Sequence, residues 1–329
     1  MSTKKIKKNY QLGRDYQRVA MWTILKTCNF NCEYCFYNDS QAGLIKKTAR
    51  KILKKIPSLD PFNYEKITSE QAEKFFNSTA KRWYLIITGG EPFIYPNFID
   101  ILAKITKKHL VTICTNLSLT EKLQSEFFQK VNPKNVKDIY ASLHLAERER
   151  IGLSLDEFIQ KAKLFQKKGF RVITDYVLYP PYIKRFKEIN NRFQKEGLTL
   201  EAKVFKGLYQ GKKYPESFTP KERKQFFNHI QDPIERIYSF KIPSFTEIHC
   251  SAGLNFFRIT PNGLITRCPS DWETVGNLAK NKFNPYKKIK PCQVKYCDCP
   301  IASTEKCVDI NKRINKEETS LEALIGSQD

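Results

Sequence analysis

Nine of the ten cysteines fall into two groups. Cys28, Cys32 and Cys35 share the spacing C-x3-C-x2-C. Three thiolates on one short loop can hold three irons of a 4Fe–4S cluster, whose full protein ligand set would need a fourth. The missing ligand leaves one iron open to bind a further group. Zinc needs a fourth residue, and the first histidine in the chain is His109. The second group comprises Cys250, Cys268, Cys292, Cys297, Cys299 and Cys307. The remaining cysteine, Cys114, stands in an apolar run, where a small core residue is the ordinary reading.

Thr88-Gly89-Gly90-Glu91-Pro92 is the second candidate for chemistry. Paired glycines let a backbone approach a ligand closely, and Glu91 can pair with an ammonium. A tight turn would use the same glycines. Taken with the cysteine spacing and the aromatic Tyr34 before Cys35, the chain resembles the radical S-adenosylmethionine (SAM) superfamily over about 19–205. The resemblance implies a partial (β/α)6 barrel. The open iron would be chelated by the amino and carboxylate groups of SAM, and one electron would split the sulfonium to a 5′-deoxyadenosyl radical. By the same resemblance Gly89, Gly90, Glu91 and Pro92 belong at the methionine amino group and Tyr34 near the adenine. Asn116 and Ser142 belong at the ribose or carboxylate, and the reductant is a flavodoxin- or ferredoxin-type donor. A strand-end Asn or Ser is otherwise a turn residue. His144 reads equally as structural or functional.

The second cysteine group resembles the C-terminal SPASM or twitch module of radical SAM enzymes. Cys250 is followed by Pro261-Asn262-Gly263, a hairpin turn between 256–259 and 264–266, and then by Cys268. The full SPASM pattern has seven cysteines and this group has six, so one auxiliary 4Fe–4S cluster is expected, on Cys250, Cys268 and two of Cys292, Cys297, Cys299 and Cys307. Two auxiliary clusters, or a structural zinc site on four of these thiols, are the alternatives.

The elements that must position these residues alternate along the chain. Strands are expected at 19–25, 83–88, 110–115, 139–143, 172–178 and 200–205, short runs rich in β-branched and aromatic residues. Helices lie between them, two with Thr68/Gln71 and Ser154/Glu157 spaced as capping boxes. Such alternation predicts an α/β fold with a parallel sheet and chemistry at the strands' C-terminal ends. The expected organisation is a basic leader 1–18, a barrel 19–215, a linking helix 216–244, an auxiliary-cluster module 245–310 and a charged tail 311–329.

The net charge of +23 would suit anionic partners, but the lysines are spread as on solvated helix faces and no nucleic-acid motif accompanies them. The leader lacks an apolar stretch of the secretory kind, and no run is long enough to span a bilayer. The expectation is a cytoplasmic protein, with clustered thiols kept reduced as metal ligands. The segments 177–180 and 205–215 look like superfamily members associated with carbohydrates. The favoured reaction is epimerisation or dehydrogenation at a carbinol carbon of a sugar, with Cys114 as one candidate hydrogen donor. The alternatives are modification of a peptide or protein side chain, a non-catalytic iron–sulfur protein, and RNA modification.

Overall fold

The computed structural model describes residues 16–35, 65–227, 229–230 and 249–294. Six parallel strands form its centre: β1 (Arg18–Leu25), β2 (Trp83–Gly89), β3 (Leu110–Thr115), β4 (Val136–Ser142), β5 (Val172–Val177) and β6 (Leu200–Lys203). Each pairs with the next in chain order. Helices α1 (Ser69–Ser78), α2 (Phe98–Ile105), α3 (Glu121–Lys130), α4 (Leu145–Arg150), α5 (Leu155–Lys167) and α6 (Phe186–Lys195) occupy the crossovers. This is the expected α/β class, with the strand order of a partial barrel.

All six expected strands form. β4 starts three residues early, because Val136 already pairs with Val111. β6 stops at Lys203, and Phe205 turns instead into an aromatic cluster with Tyr179 and Tyr214. Thr68 and Gln71 make both bonds of their capping box. Ser154 caps Glu157 N–H at 3.0 Å, but the Glu157 carboxylate pairs with Lys161 one turn on, at 2.7 Å, rather than returning to the cap.

Two short hairpin strands follow β6, β7 (Gly207–Tyr209) and β8 (Lys212–Tyr214), and then α7 (Pro220–Phe227). Past α7 come the short strand β9 (His249–Cys250), the expected hairpin of β10 (Phe256–Ile259) and β11 (Leu264–Thr266), and then β12 (Thr274–Asn277), β13 (Lys282–Phe283) and β14 (Lys290–Pro291). β10 lies parallel to β1, Val19 opposite Phe256, so β10 to β13 extend the barrel sheet. The join is apolar: the Trp83 ring meets Phe75, Phe76, Phe257 and Phe283 at 5.5–6.2 Å. Burying such rings is a main source of core energy. No helix among the described residues is long and apolar enough to cross a membrane.

Phe257 is fully buried, and Phe257→Ala should cost about 3–5 kcal/mol. Calorimetry should show barrel and hairpin melting together at a lower temperature. A separate early transition of the hairpin would contradict a shared core.

Candidate active site

The loop after β1 carries the first cysteine group to the C-terminal edge of the sheet. Cys32 is buried, while Cys28 and Cys35 are half-buried. Cys35 N–H donates to the Cys32 carbonyl at 3.1 Å, and Phe30 N–H to Cys28 Sγ at 3.4 Å. Burial, then repulsion by the other cysteines and by acidic neighbours, pushes the Cys32 thiol well above its ordinary range; Cys28 is raised also, by burial first. Metal binding by these thiols would therefore release protons as the thiolates form. Among the described residues, no three His, Cys, Asp or Glu side chains close on one point as a single ion would require. The thiols of a cluster instead sit one to each iron.

Gly89 and Gly90 tie the second motif to this loop. Gly90 N–H donates to the Leu25 carbonyl at 3.0 Å, and Glu91 N–H to the Thr27 carbonyl at 3.1 Å. A Cβ on Gly89 would stand 2.3 Å from Leu25 O, and one on Gly90 1.7 Å from Thr27 O. The close approach that demands glycine is thus to the backbone of the cysteine loop. Pro92 begins a buried turn.

Glu91 is 2% exposed. Its Oε1 accepts from Phe93 N–H at 3.1 Å and from the Thr115 hydroxyl at 2.8 Å, and its Oε2 accepts from Asn116 N–H at 2.7 Å. Burial pushes the carboxyl up to about 7, against these donors and the nearby Arg148 charge. The side chain expected at a ligand ammonium therefore joins the ends of β2 and β3. Asn116 continues the linkage, donating through Nδ2 to Asn29 Oδ1 at 2.9 Å, with Cys28 Sγ 3.8 Å away.

α4 supplies residues that the sequence did not single out. Glu147 accepts from Asn31 N–H at 2.7 Å and from Arg150 through both oxygens, and so anchors the cysteine loop. Buried Arg148 donates to the carbonyls of Leu143 and Asn116, and its guanidinium faces the rings of Phe158 and Phe30 at 4.6 and 5.4 Å. Burial lowers it to about 10, so it stays charged at neutral pH. The alternating charges of Ala146-Glu147-Arg148-Glu149-Arg150 carry no signal that two of them are buried.

Tyr34 lies against His144 and Tyr179, with ring centroids at 5.8 and 5.0 Å. Its hydroxyl is 3.1 Å from His144 Nδ1, and Tyr179 donates to Glu33 at 2.6 Å. Burial, then the Arg148 charge, lowers His144 to about 4. Ser142 ends β4 in register with Asp175. Cys114 pairs with Tyr140. Burial, then the Asp175 charge, raises its thiol to about 12, with Lys203 and a bond to Thr88 opposing. Lys203 lies 3.1 Å from Glu201, 3.8 Å from Asp175 and 5.7 Å from the Tyr140 ring centre. These groups make the strand face below the cysteine loop polar.

In the second group Cys250 and Cys268 are buried and Cys292 is half-buried. β9 and β14 pair with Lys290 opposite Cys250, and Asp271 N–H donates to Cys268 Sγ at 3.2 Å. Cys297, Cys299 and Cys307 lie outside the described residues.

The family model described as the radical SAM superfamily matches residues 22–193. No curated protein matches the chain. Among solved structures, Streptococcus suis SuiB bound to S-adenosylmethionine is similar at 16% identity and TM-score 0.54, covering 78% of this chain. The chain spans 61% of the length of that SuiB chain. Native anSMEcpe with bound AdoMet is similar at 16% identity and TM-score 0.54, covering 94% of this chain and 99% of that one. At these identities the likeness is one of fold.

Two outcomes follow. Gly90→Ala, whose Cβ would strike Thr27, should displace the cysteine loop and reduce reconstituted iron and SAM binding, while circular dichroism stays unchanged. His144 has a folded pKa below its ordinary value, so its neutral form favours the apoprotein fold. That stability is present above about 6.5 and is lost as pH falls towards about 4. Asn tolerates the left-handed backbone at this position, φ 47°. His144→Asn should therefore flatten the stability loss in that window, measured by urea unfolding at successive pH values.

Proposed function

Since the chain belongs to the radical SAM superfamily, we propose that Cys28, Cys32 and Cys35 hold its catalytic 4Fe–4S cluster beside SAM. When bound, the cluster and SAM supply the 5′-deoxyadenosyl radical that takes a hydrogen atom from substrate. One observation carries this assignment of residues. The Gly89-to-Pro92 loop and the cysteine loop interlock through Gly90–Leu25 and Glu91–Thr27 at the C-terminal edge of the sheet. That interlock supports a role for the backbone of 89–92 at the methionine end of SAM, beside a cluster on the cysteine loop. Tyr34, backed by His144 and Tyr179, offers an aromatic face for the adenine. Asn116 and Ser142, at the ends of neighbouring strands, serve the ribose or carboxylate. The buried charge of Arg148 offsets the negative charge of an iron-bound thiolate set.

The substrate is a sugar or similar carbinol, epimerised or dehydrogenated. Tyr140, Asp175, Glu201 and Lys203 support this reading. Lys203 pairs with Glu201 and Asp175 beside the Tyr140 ring, so this wall is polar and suits a substrate with hydroxyls better than an apolar one. Cys114, held as a thiol among them, retains the S–H bond that a hydrogen-atom donor needs. Cys250 and Cys268, with further ligands from Cys292, Cys297, Cys299 and Cys307, hold an auxiliary cluster. A flavodoxin- or ferredoxin-type donor supplies the electron. The second reading is a peptide substrate, favoured by neighbours of the same fold: SuiB bound to precursor peptide SuiA, TM-score 0.52, and anSMEcpe bound to the Cp18Cys peptide, TM-score 0.51.

The test is anaerobic. Protein reconstituted with iron and sulfide, given SAM and dithionite, should form 5′-deoxyadenosine, and Cys32→Ala should reduce that to background. Cleavage retained in Cys32→Ala would sink the assignment.

A further inference from the structure

Among the described residues, two cationic side chains are buried, Arg148 and Arg267, 1% and 3% exposed. Each lies against one cysteine group, and Arg267 has no part in the reactions above. Its Nε donates to the Ala252 carbonyl at 3.3 Å, two residues past Cys250. Its Nη1 pairs with Asp271 Oδ2 at 2.7 Å. The backbone of Asp271 closes on Cys268, accepting its N–H at 3.1 Å and donating to its Sγ. Its Nη2 reaches the carbonyls of Lys290 and Pro291, at 3.4 and 2.9 Å, just before Cys292. One planar group thus spans all three segments that carry Cys250, Cys268 and Cys292.

We propose that Arg267 is the positioning residue of the second cysteine group, clamping its three backbone segments so that one side of an iron–sulfur site is formed in advance. The inference rests on the auxiliary-cluster reading above. Three features support it. A guanidinium offers five donors in a fixed fork, and here the fork is used across segments far apart in sequence. A buried charge is costly unless it is paired. Asp271 pairs with this one, and a thiolate-ligated cluster, whose charge and hydrogen bonding its surroundings tune, would gain from the same cation. Room has also been made for it: a Cβ on Gly253 would stand 3.2 Å from Arg267 Cγ and 2.7 Å from the Tyr286 ring. Lysine could carry the charge but not the fork.

The experiment compares Arg267→Lys and Arg267→Gln with their parent in full-length protein carrying Cys28→Ala, Cys32→Ala and Cys35→Ala, which leaves only the second group to bind iron. The parent should load about four irons per chain. Both variants should lose most of that iron. The cluster remaining in Arg267→Lys should show a changed EPR spectrum and reduction potential, while its apoprotein melts as the parent does. If the parent loads no iron, the auxiliary-cluster reading falls and takes this inference with it. If the parent loads four and both variants match it in iron, spectrum and potential, the role of Arg267 alone is overturned. Should Arg267→Gln fail to fold, Arg267→Lys decides on the same readouts.

Discussion

The Glu91 carboxylate is the constraint on which the cysteine loop depends. Its three donors come from its own turn and from the end of β3, and its backbone N–H holds the loop after β1. Three consecutive strand ends are therefore joined through one residue. Burying a carboxylate this deeply is tolerable only because every nearby polar group is aimed at it. Its raised pKa shows that the donors and Arg148 do not fully repay the desolvation. What remains is an electrostatically costly joint between neighbouring strand ends. Gly89 and Gly90 are needed for the same reason: the two loops meet backbone to backbone, and any side chain would separate them.

Charge in this molecule works on two scales. The 57 basic and 34 acidic residues are spread along the chain, and charge that lies in water is screened over a Debye length of about 8 Å. It says little about chemistry. Arg148 and Arg267 act differently because they are buried. There the screening is weak and each cation is fixed by carbonyls, which lets it hold backbone in place. Both arginines reach several chain segments at once, as a guanidinium can and an ammonium cannot.

Much of this was legible in the sequence wherever the signal was local. The cysteine spacing, the Gly-Gly pair, the Pro-Asn-Gly hairpin and the Thr68 cap each occupy a few neighbouring residues, and the structure forms the hairpin and the cap at the expected places. What was not legible depends on partners distant in the chain. Nothing near Val19 announces Phe256 as its neighbour, so the hairpin read as the start of a separate module when it extends the barrel sheet. The residues around Glu91 suggest a ligand ammonium and carry no sign of its distant partners Thr115 and Asn116. Arg148 sits in an alternating-charge run, and Arg267 is a lone arginine before a cysteine. Both patterns ordinarily mean solvent, and only tertiary packing overrides them.

Topology also sets the separation of the two cysteine groups. β1 and β10 run in the same direction, and the first group follows the C-terminal end of β1. β11 returns antiparallel, with Thr266 opposite Arg258 and Arg258 opposite Met21. Cys268, two residues beyond Thr266, therefore lies near the level of Val19, towards the start of β1. Cys250 precedes β10 and lies at that same end. Between Val19 and Leu25 the strand rises about 20 Å, at about 3.3 Å per residue. Followed strand to strand by register, Thr88, Cys114 and Tyr140 lie level with Thr23, Asp175 level with Leu25 and Lys203 beyond it, so the polar face sits at the first group's end of the sheet. That face therefore lies beside the first cysteine group, with the second towards the opposite end of the sheet. Two groups of thiols on the same loop cluster could not be held so far apart, and it is the parallel pairing of β1 with β10 that separates them.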